Sequence, residues 1–152
     1  MEEIDSKAIR LAAMGLLARR EHSDLELRQK LSYRFPDEAQ SVKVEVEQLT
    51  AEGLQSNTRL AESFIRARIN RGQGPSKIIH DLKIKGVDQE DILLALGKAE
   101  VNWFTLASEV AVKKFGIVSG EDADFQFKGR LSRFLQQRGF LNDHIASVYL
   151  SL

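Results

Sequence analysis

The stretch IIHDLKIKGV, residues 78–87, places two aliphatic side chains four positions apart and then a glycine and a bulky apolar residue. Closely similar patterns recur at Leu27–Phe35 (LRQKLSYRF) and Leu131–Phe140 (LSRFLQQRGF). Apolar residues four apart lie on one face of an α-helix. Repeats of about 20–50 residues are typical of arrays whose small units bury apolar faces against their neighbours. The pattern therefore predicts an extended binding surface, and a long ligand, in preference to one closed pocket.

Helical periodicity dominates the whole chain, and sustained strand alternation is hard to find. The apolar stripes and turn signals predict nine helices in three groups of three. We expect an all-α fold of three tandem three-helix repeats, stacked into an elongated, curved array. The predicted repeats span residues 1–54, 55–101 and 102–152, and the second repeat is the basic one.

Several polar residues predict where individual helices begin. Ser23 and Glu26 form a Ser-x-x-Glu capping box ahead of an apolar run. Asp37, after the helix-stopping Pro36, is expected to cap the third helix, and Asn142 or Asp143 the last one.

The composition excludes several classes of protein. Of the 152 residues, 43% are hydrophobic and 29% are charged, which provides a core and argues against disorder. Because cysteine is absent, disulfides, Cys-ligated zinc and a thiol nucleophile are excluded. No apolar run has the length of a membrane span, and the acidic amino end does not resemble a secretion signal. We expect a cytoplasmic protein that has no membrane partner.

Charge is balanced overall but unevenly distributed. The chain has 22 basic and 22 acidic residues, whereas residues 57–86 hold seven basic and two acidic side chains. Residues 113–140 hold six basic and three acidic ones, and residues 35–53 are acidic. Such asymmetry can steer a polyanion to part of the surface, although solvated outer helix faces also explain it.

The sequence offers no constellation that predicts catalysis. His22, His80 and His144 fall in different repeats and lack ligand spacing, so turn or surface positions are expected for them. The stretch GQGPSK, residues 72–77, follows a helical segment and therefore does not fit a phosphate-binding P-loop. We expect no enzyme activity, no metal and no cofactor.

Three stretches resemble the RecX family, the bacterial regulators of the recombinase RecA. They are Leu17–Leu31 (LARREHSDLELRQKL), Phe64–Pro75 (FIRARINRGQGP) with the pattern that continues to Val87, and Arg130–Leu135 (RLSRFL) with Arg138-Gly139-Phe140. The likeness covers nearly the whole chain. It implies a modular all-helical protein that binds in the groove of the RecA filament on single-stranded DNA. The implied result is lower RecA ATPase, strand exchange and repressor co-cleavage, because filament growth is blocked or destabilised.

The family has no catalytic residues to transfer, so the resemblance implies only contact positions. Those expected to contact RecA or DNA are Arg68, Arg71, Lys77, Lys85, Arg130, Arg133 and Arg138, while Arg28 and Lys30 match the first-repeat pattern. We expect a monomer that binds free single-stranded DNA only weakly. One alternative is a stand-alone DNA-binding protein of the helix-turn-helix type. Another is a helical scaffold for an unrelated protein.

Overall fold

A computed structural model describes residues 2–152 of the protein, and their side chains from Ser6 onward. Over these residues the chain forms nine α-helices and no strand. The helices are α1 (Glu2–Arg19), α2 (Asp24–Arg34), α3 (Ala39–Ala51), α4 (Asn57–Asn70), α5 (Pro75–Ile84), α6 (Gln89–Ala99), α7 (Trp103–Phe115), α8 (Phe125–Gln137) and α9 (Asn142–Leu150). The predicted all-α class is confirmed.

The helices pack into two compact units. One unit contains the chain up to Ser63 together with Leu82–Ala95, and the other contains Phe64–Asp81 together with Leu96–Leu152. The division passes through α4, α5 and α6, so each unit contains part of the middle helix triplet.

The core of the first compact unit lies between α1, α2 and α3. Here α3 packs on both other helices, and Ile9, Leu27 and Leu49 are fully buried. Burying one such aliphatic side chain contributes about 1.5–3 kcal/mol. The predicted capping box is present, since Ser23 Oγ accepts from the Glu26 N–H and Glu26 accepts from the Ser23 N–H. The apolar stripe and its cap therefore define where α2 begins and which face it buries.

The second compact unit has an equivalent core between α7, α8 and α9. In it α9 packs on α7 and α8, and Leu131 and Leu135 of α8 are buried. The Phe115 ring meets the rings of Phe127 and Phe134 edge-on, each with centroids 5.5 Å apart. Such edge-to-face pairs add to the stabilisation that comes from burial.

Two predicted caps are wrong. A hydrogen bond from the Glu38 N–H to the Phe35 carbonyl closes a turn, so that Glu38, and not Asp37, precedes α3. The last helix begins at Asn142 itself, and its N-cap is Leu141. The Leu141 N–H donates to His144 Nδ1 over 3.1 Å, so an imidazole takes the place that the Glu26 carboxylate has in the capping box of α2, and neither Asn142 nor Asp143 is the cap.

Helix-to-helix turns contact one another in both compact units. In the first, Ser23 Oγ in the α1–α2 turn donates to the Lys85 carbonyl, 2.6 Å away in the α5–α6 turn. In the second, the Gly74 N–H in the α4–α5 turn donates to the Arg138 carbonyl, 2.6 Å away after α8. The acceptor in both cases is the carbonyl of a basic residue that precedes a glycine. We call these two contacts the first joint and the second joint.

The second joint has no room for a side chain. A second bond runs from the Ser76 N–H to the Gly139 carbonyl over 3.0 Å. A Cβ at Gly74 would lie 2.5 Å from the carbonyl carbon of Gly139 and from the backbone nitrogen of Phe140. Gly139 has a φ of +95°, a left-handed conformation that L side chains rarely adopt. Glycine is therefore required on both sides of this joint.

Substitution of Gly74 by alanine should destabilise the protein through this contact. We expect Gly74→Ala to lower the free energy of unfolding by at least about 2 kcal/mol, because the two turns must separate and their hydrogen bonds weaken. Gly97→Ala is the matched control, since a Cβ at Gly97 in α6 meets nothing within 4 Å. That control should be neutral or gain up to about 1 kcal/mol. Urea unfolding followed by circular dichroism measures both, and equal midpoints would contradict the joint.

Acid should destabilise the first compact unit through Glu26. Burial opposes its ionisation, but hydrogen bonds from Arg20, the Ser23 N–H and Lys85 outweigh burial and lower the pKa of Glu26 to about 2. In the unfolded chain this carboxyl takes up a proton near a pKa of about 4.3. The stabilisation is thus complete above that value and is lost as the pH falls towards about 2.

We expect Glu26→Gln to remove on the order of 2 kcal/mol of stability at neutral pH and to flatten the decline in stability below about pH 5. Exposed Glu121, in the α7–α8 loop, supplies the control variant Glu121→Gln, which should keep the wild-type profile. Denaturant unfolding at a series of pH values tests this. A Glu26→Gln profile that declines as steeply as wild type would refute it.

Candidate nucleic-acid interface

The guanidinium of Arg68, one of the predicted contact residues, is bound within the second compact unit. Its Nη1 donates to Asp81 Oδ2 and to Gln73 Oε1, both at 2.9 Å. Its Cζ lies 4.3 Å from the centroid of the Phe64 ring. A guanidinium that is paired, hydrogen-bonded and stacked within the protein is little available to bind a ligand. Arg68 therefore links the end of α4 to α5.

Lys85 likewise has an intramolecular partner within the first compact unit. Its Nζ lies 3.0 Å from Glu26 Oε2, and its side chain is 24% exposed. Arg20 also pairs with Glu26, at 2.8 Å. Lys85 is therefore a component of the first joint, where it shares one carboxylate with Arg20.

Arg138 occupies the matching position in the second joint but has a neutral partner. Its Nη1 donates to the Arg71 carbonyl over 2.8 Å, and its Cζ lies 5.0 Å from the centroid of the Phe134 ring. A guanidinium has five N–H donors, and no described carboxylate lies within ion-pair distance of this one. Arg138 is thus fixed in position while its charge stays uncompensated.

An open cleft of about 430 Å³ lies beside Arg138, entirely within the second compact unit. Its lining combines apolar side chains that are half-buried with basic side chains that are largely exposed. We call it the basic cleft, and its lining residues are Ile69, Asn70, Arg71, Gly72, Leu106, Glu109, Val110, Lys113, Lys114, Phe134 and Arg138.

The basic cleft has a strong excess of positive charge. Four of its lining side chains are basic, and Glu109 is its one carboxylate. Arg71, Lys113 and Lys114 are exposed, and none of them forms an ion pair with a described residue. The Lys114 Nζ lies 5.7 Å from the centroid of the Phe134 ring, on which Arg138 also packs. The cleft therefore attracts anions.

The other predicted contact residues lie outside the cleft. Lys77 is exposed in the first turn of α5, where its Cβ faces the position that a side chain at Gly139 would occupy. Arg130 and Arg133 are exposed on α8, and the Arg130 Cζ lies 5.9 Å from the centroid of the Phe127 ring. Of the seven predicted residues, the structure brings only Arg71 and Arg138 together in the cleft.

Sequence reasoning did not place Lys113 and Lys114 among the contact candidates. They end α7, where the helix dipole alone explains lysine. The sequence signal that could have included them is the basic excess over residues 113–140. Their proximity to Arg71 results from tertiary packing, which the local sequence does not specify.

Lys30, which matches the family pattern in α2, is exposed but contacts a buried histidine. The Lys30 Nζ lies 3.0 Å from His22 Nε2, while His22 Nδ1 lies 3.1 Å from the Arg20 carbonyl. Burial lowers the pKa of His22, so its neutral form is favoured and Nδ1 is the protonated nitrogen. Arg28 is half-buried, and its Nε has no hydrogen-bond partner among the described residues.

Two of the three histidines are buried, namely His22 at the α1–α2 turn and His144 in the first turn of α9, while His80 is exposed on α5. Throughout the described part of the chain, no three histidine, aspartate or glutamate side chains are grouped so that they could hold a metal ion. None of the described helices has both the length and the apolar character that a membrane crossing requires.

Comparison with known families agrees with this architecture. The family model for the second three-helix domain of RecX matches residues 56–96, and the model for its third three-helix domain matches residues 100–149. The chain belongs to the RecX family.

Curated RecX relatives match nearly the whole chain. The regulatory protein RecX of Halorhodospira halophila is 44% identical over 143 residues, which are 94% of this chain and 87% of that protein. The regulatory protein RecX of Pseudomonas entomophila is 42% identical over 142 residues, 93% of this chain and 89% of that protein. This membership confirms the resemblance and assigns the chain to a family of regulatory proteins.

Solved structures confirm the fold. The crystal structure of RecX from Lactobacillus salivarius superposes with a TM-score of 0.80 at 20% identity, and covers 99% of this chain and 97% of that one. Another RecX crystal structure gives a TM-score of 0.78 at 19% identity and covers 97% and 72% of the two chains. The three-helix repeats are confirmed, whereas the repeat boundaries at 54/55 and 101/102 and the curved arrangement stay predictions.

The different surroundings of Arg68 and Arg71 predict different effects of the same substitution. We expect Arg68→Gln to lower the free energy of unfolding by about 1 kcal/mol, because Asp81 loses its partner and Phe64 its stacked cation. Arg71→Gln should change stability by less than about 0.5 kcal/mol, since its exposed side chain pairs with no described group. Urea unfolding of both variants measures this. Equal losses would show that Arg68 is not a structural arginine.

Proposed function

We propose that this RecX-family protein binds the RecA filament on single-stranded DNA and inhibits its ATPase, strand-exchange and co-protease activities. In this proposal the bound protein blocks or destabilises filament growth, acts in the cytoplasm as a monomer, and thereby restrains DNA repair and the SOS response. The observation that carries the proposal is the basic cleft, a set of uncompensated cations in a chain of a regulatory family.

Electrostatics supports a polyanionic target. Overall neutrality gives no general attraction to nucleic acid, so binding must depend on local charge. Arg68 and Lys85 add less to that local charge, because Asp81 pairs with Arg68, and Glu26 pairs with Lys85 as well as Arg20. Further exposed cations of the second compact unit, Arg130 and Arg133, add to the positive surface on α8.

Several weak contacts on one folded chain add through effective concentration, as long as the sites can be reached together. A filament offers repeated sites, so even modest electrostatic contacts would give useful binding. Such binding weakens with salt, because exposed charges are screened and bound counterions are released.

Charge reversal at exposed positions should weaken inhibition while preserving the fold. The variant Arg71→Glu/Arg130→Glu/Arg133→Glu leaves the Arg68–Asp81 pair intact, and all three positions are exposed. We expect the wild-type protein to suppress RecA ATPase on single-stranded DNA, and the variant to need at least about tenfold more protein for the same suppression. Circular dichroism should show unchanged helicity.

The charge-matched control is Lys7→Glu/Lys43→Glu/Lys83→Glu, whose positions are exposed and lie outside the basic cleft. This control should inhibit like wild type. Undiminished ATPase with excess wild-type protein would refute the inhibitor function, and retained inhibition by the reversed variant would place the contact surface elsewhere.

The same proteins also test the stand-alone DNA-binding alternative. A gel shift without RecA provides the test, because tight, sequence-dependent binding to duplex DNA would favour the alternative over filament binding.

A further inference from the structure

We propose that the basic cleft is a binding site for one nucleotide unit of a single nucleic-acid strand, with its phosphate on the cations and its sugar and base on the apolar lining. This inference deepens the proposed function, on which it rests, because it assigns the strand contact to named residues. It is tested without any recombinase.

The cations of the cleft suit a phosphodiester in both geometry and charge. Arg138 is already fixed by the Arg71 carbonyl and the Phe134 ring, so little side-chain freedom is lost when it binds an anion. A guanidinium presents paired N–H donors that match two phosphate oxygens. Lys113 and Lys114 in the last turn of α7 add two ammonium groups at the same cleft.

The apolar side chains of the cleft favour a nucleotide over a bare anion. Leu106, Val110 and Phe134 are half-buried and line the same space as the cations. The cleft volume of about 430 Å³ lies in the range of small-ligand sites. A base can reach this surface only when it is unpaired, since duplex DNA keeps its bases stacked inside. A single strand therefore fits the cleft better than a duplex.

Two other predicted contact residues, Lys85 and Arg68, lack this combination. Lys85 and Arg68 face carboxylates at 3.0 and 2.9 Å, so an anion would have to compete with Glu26 or Asp81. The lining of the cleft includes one carboxylate, Glu109. Glu109 should therefore oppose the binding of an anion, so its removal should raise the affinity, whereas removal of the cations should lower it.

The test is a fluorescence-anisotropy titration of a labelled thymidine oligonucleotide with the full chain. The cleft variant is Arg71→Gln/Lys113→Gln/Lys114→Gln, which leaves Arg138 and its joint unchanged. We expect at least a tenfold weaker affinity and a shallower dependence of binding on salt, because phosphate contacts are lost. Glu109→Gln should bind about two- to fivefold more tightly, since the opposing charge is gone.

A charge-matched control separates the cleft from general charge. Lys7→Gln/Lys83→Gln/Lys128→Gln removes the same charge at exposed positions outside the cleft. This control should lose no more than about twofold in affinity, since no phosphate contact is removed. Equal losses in the control and cleft variants would overturn the proposal.

Two ligand comparisons test the assigned chemistry. An oligonucleotide with abasic sites keeps its phosphates and should bind several-fold more weakly than the thymidine strand, since its bases no longer reach the apolar lining. Equal affinity for the abasic strand or for a duplex of the same length would overturn the nucleotide assignment. So would a poly-glutamate peptide that binds as tightly and with the same dependence on the cleft, because the ligand would then be an acidic protein segment.

Strand binding tests the cleft, and inhibition of RecA ATPase tests the proposed function, so either can fail without the other. Loss of strand binding in the cleft variant supports the site whatever happens to RecA ATPase. Inhibition of RecA ATPase by a variant that no longer binds the strand would leave the inhibitor function standing and would place its contacts on the recombinase.

Discussion

The hydrogen bond from the Gly74 N–H to the Arg138 carbonyl requires two backbones to touch with no side chain between them. At 2.6 Å it is short, and Gly139 beside it has a left-handed φ that only glycine adopts at little cost. The contact brings together residues that are 64 positions apart in the chain. It holds Arg138 next to the end of α4, and the basic cleft depends on that placement.

In the first joint, a side chain donates the hydrogen bond that a backbone N–H donates in the second joint. There the Lys85 carbonyl accepts from Ser23 Oγ, whereas the Arg138 carbonyl accepts from a backbone N–H. Ser23 has a second role, because its hydroxyl oxygen also caps α2. A turn that carries a serine can thus replace one that carries a glycine, provided that the donor reaches the same carbonyl. The common requirement is the carbonyl that precedes a glycine.

Local patterns were enough to predict the helices, their grouping and the cap of α2. The capping box at Ser23 follows from a short-range rule and agrees with the structure. The caps of α3 and α9 were predicted wrongly. A turn closed on the Phe35 carbonyl makes Glu38 the N-cap of α3, and α9 begins one residue earlier than expected, with the Leu141 N–H bonded to His144.

The candidate site was less predictable, because tertiary contacts decide whether a basic side chain is paired with a carboxylate or remains available to a ligand. Nothing in the local sequence distinguishes Arg68, which faces Asp81, from Arg71, which pairs with no described carboxylate. The convergence of Lys113 and Lys114 with Arg138 requires α7 and α8 to be packed first. The sequence therefore indicated a basic surface, and packing decided which of its members remained available.

The difference between the two joints explains why the cleft forms where it does. Lys85 and Arg138 both precede a glycine, and each side chain contacts the same turn region as its own carbonyl, Lys85 at Glu26 and Arg138 at Arg71. Lys85 meets the carboxylate of Glu26, which it shares with Arg20, so its positive charge is partly offset. Arg138 meets the carbonyl of Arg71, which fixes the guanidinium but carries no net charge. A cation held by a neutral acceptor is both ordered and uncompensated, and this is the state that an anion-binding site requires.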